Sequence, residues 1–317
     1  MVELLYTLSI AFPIALASLG AGIGQGLIGV KSLQAANIQP YAAPEIGRVS
    51  MIGMALTETS AIFGLVISII LLLDTSIPAS YQYALFGKLG ISLAIGITSL
   101  VAGIASSIPV QSACLATARQ PFFSNKILQL MLVTQSIIMT PNIFGFLIAL
   151  LINTKIATTS DLNGGLQLLA SGLSIGIGSI GPCIGLSLFA SAACTAIGVN
   201  RKSYSKILPF TFICEAIIET PVIFSFLIAL LIWNATINPD SPIQGVAFIA
   251  AAICISLSTI GTGLSAGRVG SAACDQISKA PEIYPMISRI GLLALAMIDT
   301  FAIYGFIIAT ILIIYAI

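Results

Sequence analysis

A chain of 317 residues that is 58% hydrophobic and only 7% charged, with a mean hydropathy of +1.10, lies far outside soluble globular proteins, whose charged fraction is about 25%. It reads as an integral membrane protein, and a net charge of +1 gives no sign of a nucleic-acid partner. The sequence has no histidine, which excludes the common His-containing metal and hydrolase sites.

In chain order, apolar segments are expected over 5–36 and 48–73, 84–117 and 125–153, 164–197 and 205–233, and 243–277 and 285–316. Each is about twenty residues or longer, enough to cross a hydrocarbon core of ~30 Å at 1.5 Å per residue. The first carries Glu3 and no basic residue in its opening turn, so it reads as a retained span and not a signal peptide. The segments repeat: TPNIFGFLIALLI (140–152) and TPVIFSFLIALLI (220–232) differ at two of thirteen positions, and the same register lands on TSAIFGLVISIIL (59–71) and TFAIYGFIIATIL (300–312). The expected fold class is therefore an all-α membrane protein: eight transmembrane helices as four tandem direct-repeat hairpins, 1–77, 78–157, 158–238 and 239–317. Two spans per repeat restore the starting side, so the repeats share one orientation, and direct repeats of hairpins suit a ring or array. Cys114, Cys194 and Cys274, spaced by 80, read as copies of one position and not as a disulfide framework. Pro141 and Pro221 are candidate kinks.

Basic residues set the expected orientation. Lys31, Arg48, Arg119, Lys126, Arg201, Lys202, Lys206, Arg268, Lys279 and Arg289 lie near the connectors inside the hairpins, against Lys88 and Lys155 between hairpins. This places the inner connectors in the cytoplasm and both termini outside. The first helix of repeat 1 alternates Gly20, Gly22, Gly24 and Gly26, with SLVAGIASS, SIGPCIGLS and TIGTGLSAG as its equivalents. A phosphate loop would need a preceding strand, which nothing here provides. Small residues in a membrane helix instead allow close backbone approach, here on more than one side.

The second helix of repeat 1 holds a lone acid, Glu58, in twenty-five residues (49–73) with no other charge. Its equivalents are Met139, Glu219 and Asp299, each followed by a threonine: Thr59, Thr140, Thr220 and Thr300. A charge at mid-bilayer costs about 2.5–3.5 kcal/mol on insertion scales, so acids recurring at one register are candidate ion carriers and Met139 is a vacant place. The threonine hydroxyls could ligate a cation or simply bond back to the helix carbonyls.

Together, GIGQG, the connector NIQP (37–40) and ETSAIFG make repeat 1 resemble the ring-forming proteolipid, the c-type or K-type component, of rotary F-type and V/A-type ATPases; ARQP (118–121) and KAPE (279–282) keep the connector, whereas VNRK has lost its proline. The resemblance spans the chain as four fused hairpins. It implies a non-catalytic rotor component: a homo-oligomeric ring in a bacterial or archaeal cell membrane, bounded by lipid, facing the stator a-subunit and held by central-stalk subunits. In such a rotor each acid carries Na+ or H+ past lipid in a neutral state, with no cofactor.

In sodium-carrying members of the family a first-helix glutamine, the acid and the adjacent hydroxyl surround the ion, and Gln25, Glu58 and Thr59 match, with Ser60 nearby. Repeat 1 thus points to sodium. The glutamine becomes Ser106, Leu186 and Ala266 elsewhere, which leaves the proton open. Glu215, one turn before Glu219 on the same helix face, is a candidate substitute ligand, with Gln135 in its place in repeat 2. Three carriers for four hairpins would lower the ions moved per turn and suit an ATP-driven pump. A non-rotary oligomeric pore of the same hairpins is the alternative, and it requires polar residues along a lumen.

Overall fold

The computed structural model describes residues 2–74, 81–238, 241 and 243–316, all helical apart from short connectors. Its eight membrane-length helices are α1 Thr7–Ile38, α2 Pro40–Leu73, α3 Gln82–Arg119, α4 Pro121–Ile156, α5 Leu162–Val199, α6 Arg201–Asn234, α7 Gln244–Lys279 and α8 Pro281–Tyr315. They form the four expected hairpins, with inner connectors tighter than the sequence suggests. Each connector is one non-helical residue, Gln39, Gln120, Asn200 or Ala280, followed by a single 3-10 turn.

The chemistry of that turn is local. Pro40, Pro121 and Pro281 occupy its first position, where no amide hydrogen is needed, and they hold the preceding residue out of the helical region. Hairpin 3 lacks the proline and uses a side chain instead: Asn200 Oδ1 accepts from the Lys202 amide at 3.1 Å. Asn200 Nδ2 also donates to Ser278 O at 2.9 Å, and Gln120 Nε2 to Gly198 O at 2.9 Å, so each of these two connectors is tied to the next hairpin.

The first helices, α1, α3, α5 and α7, pack side by side in chain order as an inner row. The second helices form an outer row. Here α2, α4 and α6 each lie over the seam between their own inner helix and the next, while α8 packs on α7 and α6. Position in the row governs burial: 67% of the most apolar stretch of α3 and of α5 is buried, against 33% for α1 at the end.

Backbone approach in the inner row depends on small residues. A Cβ on Gly20 would lie 2.5 Å from Leu100 O, and one on Gly185 would collide with Gly263 O. In contrast, Gly22 and Gly26 of α1 and Gly261 of α7 meet nothing within 4 Å. These open glycines are on the two ends of the row.

Of the two candidate kinks, Pro141 interrupts α4, because it cannot donate to the Ile137 carbonyl and the helix breaks at Met139. The helix Tyr204–Asn234 continues through Pro221. A six-residue π segment, Ser92–Ile97, interrupts α3. Ser92 of that segment donates to Ser9 O of α1 at 2.8 Å.

Gly185→Ala is expected to destabilise the detergent-solubilised chain by about 1–3 kcal/mol, through overpacking against α7. Gly47→Ala, at an open helical position, is expected to be neutral or to stabilise by up to ~1 kcal/mol. Reversible unfolding in mixed micelles compares the two.

Candidate functional site

The polar residues at mid-span gather at the seams. Between hairpins 1 and 2, Thr57 of α2 donates to Gly53 O at 3.0 Å and lies 3.2 Å from Ser106 Oγ of α3. Gln135 of α4 reaches across the seam and donates to Gly53 O at 2.8 Å and to Thr57 Oγ1 at 3.2 Å. All three side chains are fully buried, and Gln135 Oε1 has no hydrogen-bond partner. Met139 is itself buried at this seam, one turn beyond Gln135. One turn beyond Met139, Asn142 Oδ1 accepts from Ser99 at 2.5 Å.

The seam between hairpins 2 and 3 holds an acid. Glu219 of α6 is half-buried, and the Thr140 hydroxyl of α4 lies near its carboxylate across the seam. This approach crosses from one hairpin to the next, so the threonine beside Met139 lies near the acid of the following repeat. Four residues earlier on α6, Glu215 is fully buried with both carboxylate oxygens unpartnered. Burying a bare carboxylate is prohibitive, so Glu215 is a neutral acid.

Asp299 of α8 is half-buried, with Oδ1 enclosed and unpartnered. Glu58, in hairpin 1, differs: it is exposed on the flank of α2. Gln25 is half-buried and donates to Met54 O at 3.2 Å. Ser60 is buried and bonds to Thr57 O at 2.9 Å. The hydroxyls of Thr59, Thr220 and Thr300 donate to the helix carbonyls of Leu56, Ala216 and Met297 at 2.7, 2.9 and 2.6 Å. Thr140, in contrast, lies near an acid of the next hairpin.

Of the residues expected to form one site within repeat 1, Gln25 and Thr59 thus bond to the carbonyls of Met54 and Leu56 and neither bonds to Glu58, whereas Gln135 bonds between repeats. Alignment of the repeats places the acids at one level without revealing that crossing. It marks Gln135 but not its partners; a polar side chain in the middle of an apolar span is the signal available for it. All six cysteines are free, and no group of three or more His, Cys, Asp and Glu side chains able to hold a metal occurs among the described residues.

The family model for the ATP synthase C subunit matches the chain four times, over 8–71, 89–152, 169–232 and 249–312. The chain is 30% identical over 229 residues to the K subunit of the A-type ATP synthase of Methanocaldococcus jannaschii, covering 71% of this chain and 94% of that one. It is 27% identical over 156 residues to the K subunit of the V-type sodium ATPase of Enterococcus hirae, covering 49% of this chain and 95% of that one. It is 40% identical over 68 residues to the ATP synthase c-subunit of Chloroflexus aurantiacus, covering 22% of this chain and 90% of that one. With four matches spread from end to end, the chain belongs to the ATP synthase C-subunit family, as a non-catalytic proteolipid of four fused hairpins.

Proposed function

We propose that this proteolipid forms a rotor ring with copies of itself and carries a monovalent cation on Glu58, Glu219 and Asp299. The observation that supports this reading is the approach of the Thr140 hydroxyl to Glu219 across a seam, since two neighbouring hairpins could there enclose an ion together. Transferred by the repeat register, the same approach would set Thr220, whose hydroxyl here bonds to Ala216 O, opposite Asp299, and Thr59 opposite Met139. For Glu58, in the first hairpin of the row, Thr300 of a neighbouring copy supplies the hydroxyl.

The ends of the inner row support closure. The open face of α1 presents Gly22 and Gly26, one turn apart, and the open face of α7 presents Gly261 and the exposed Ser265. In register terms Gly261 and Ser265 correspond to Gly20 and Gly24, the pair that packs α1 onto α3. The two ends thus repeat the halves of an internal seam, a head-to-tail interface of the kind that closes into a ring.

In operation, a stator exchanges the ion at each acid, and a loaded, neutral site passes the lipid as the ring turns. Each elementary charge carried across stores ~2.3 kcal/mol per 100 mV. Met139 leaves three carriers for four hairpins, so fewer ions cross per turn and ATP hydrolysis can drive a steeper gradient; this favours a pump. The connectors Gln39–Ala42, Gln120–Phe123, Asn200–Ser203 and Ala280–Ile283 face the cytoplasm and the central stalk, following the excess of basic residues at that end. Gln25 beside the backbone of Glu58's helix, together with the name of the Enterococcus hirae relative as part of a sodium ATPase, favours sodium over the proton. Thr57, Ser106, Gln135 and Glu215 are buried within seams, which argues against a pore lined by them.

Ring closure is tested at the open face of α1. Gly22→Leu is expected to give single chains in native mass spectrometry where the unmodified protein gives rings; rings of unchanged stoichiometry would contradict the proposed interface. Thr300→Ala is expected to raise the sodium concentration that half-protects Glu58 from carbodiimide by roughly 3- to 10-fold, the worth of one hydrogen bond, without moving that for Glu219. Labelling of Glu58 that ignores sodium at every pH would assign the proton instead.

A further inference from the structure

Glu215 is the one fully buried carboxyl among the described residues, and the rotor cycle as described gives it no task. Its register holds Met54 in hairpin 1, Gln135 in hairpin 2 and Leu295 in hairpin 4, so an acid here is specific to hairpin 3. That hairpin also has Leu186, buried and apolar, at the register of Gln25. Hairpin 3 therefore gained an oxygen on α6 where it lacks one on α5.

Direction and distance fit an exchange of one oxygen for the other. Glu215 and Glu219 are four residues apart on one helix face, which sets their Cβ atoms about 5–6 Å from each other. Gln135, at the register of Glu215, extends into the seam and meets Gly53 and Thr57 of the preceding outer helix. A side chain at this register thus points into the space between hairpins and away from lipid. Both Glu215 oxygens are unpartnered there. Besides Glu219, the ionisable groups around it include the thiols of Cys194, Cys214 and Cys274, all buried.

We infer that Glu215 stays protonated and lends its carbonyl oxygen to a sodium ion held by Glu219, doing in hairpin 3 what the amide of Gln25 does in hairpin 1. This rests on the reading of Glu219 as an ion carrier. The charges balance: one sodium, one carboxylate on Glu219 and one neutral acid sum to zero, as passage through hydrocarbon requires. Two ionised acids around one sodium would leave a net negative charge in the seam. The ligand set becomes the Glu219 carboxylate, the Thr140 hydroxyl and the Glu215 carbonyl oxygen, and a hard cation is held by several oxygens together. The carboxylic O–H of Glu215 remains free to donate to a backbone carbonyl across the seam, as the Gln135 amide does.

The test uses assembled rings from chains carrying Glu215→Gln, Glu215→Met or Glu215→Leu, the last two placing at this register residues that hairpins 1 and 4 already have. Each is labelled with an apolar carbodiimide at increasing sodium, and Glu219 and Glu58 are read separately by peptide mass spectrometry. Sodium is expected to protect both acids in the unmodified ring. Glu215→Gln, which keeps a neutral oxygen, is expected to leave protection of Glu219 within about twofold, whereas Glu215→Met and Glu215→Leu raise the half-protecting sodium concentration at Glu219 by roughly tenfold or more, with Glu58 unmoved. Equal protection of Glu219 in all variants, loss in Glu215→Gln as great as in Glu215→Met, or a Glu219 that sodium never protects would each overturn the inference. Failure of the rotor reading looks different: none of Glu58, Glu219 and Asp299 would react at all.

Discussion

Everything in this protein is arranged around the cost of an ionised carboxyl in hydrocarbon. A charge at mid-bilayer costs about 2.5–3.5 kcal/mol even on the mildest scales, so an acid there must be protonated, cation-bound or enclosed by polar groups. The seams supply that enclosure. They form because the inner helices approach closely through Gly20, Gly24, Gly185 and Gly263, which leaves the outer helices to lie over the joints and present Glu219, Thr140, Gln135 and Thr57 to one another. Removing bulk from the inner row is thus what builds a polar layer in the outer one.

Fusion of four hairpins in one chain changes what that layer can be. In a ring of identical hairpins every seam is the same, and any substitution appears at all of them. Here each seam differs. Hairpin 2 replaces the acid with Met139 and fills its seam with a neutral network of Gln135, Thr57 and Ser106. Hairpin 3 adds Glu215, and hairpin 4 has the shorter Asp299 with an enclosed, unpartnered oxygen. Even the connectors diverge, with Asn200 doing by side-chain hydrogen bonding what proline does in the others. Under the proposed rotor function, the ion-to-ATP ratio would then be a property of individual residues and not only of ring size.

The hairpins, their register and the level of the acids were legible in the sequence because hydrophobic length and an 80-residue period are one-dimensional signals. The doubled small-residue faces of α1 were legible too: Gly20 and Gly24 pack on α3 while Gly22 and Gly26 stay open. The approach of Thr140 to Glu219 of the next repeat was not. Aligning repeats puts Thr140 beside Met139 and Thr220 beside Glu219, but a helix face is shared with the next hairpin, so contacts shift by one repeat relative to the alignment. The break at Met139 and the π segment at Ser92–Ile97 arise from packing and one proline whose effect differs between α4 and α6, which no period encodes.

The central claim is that each chain carries three ions on four hairpins. Exhaustive reaction of intact rings with an apolar carbodiimide, followed by mass measurement of the whole chain, counts the accessible protonated carboxyls directly. Three adducts, located at Glu58, Glu219 and Asp299 with Glu215 shielded in its seam, are the predicted result; two adducts or four per chain would contradict the account.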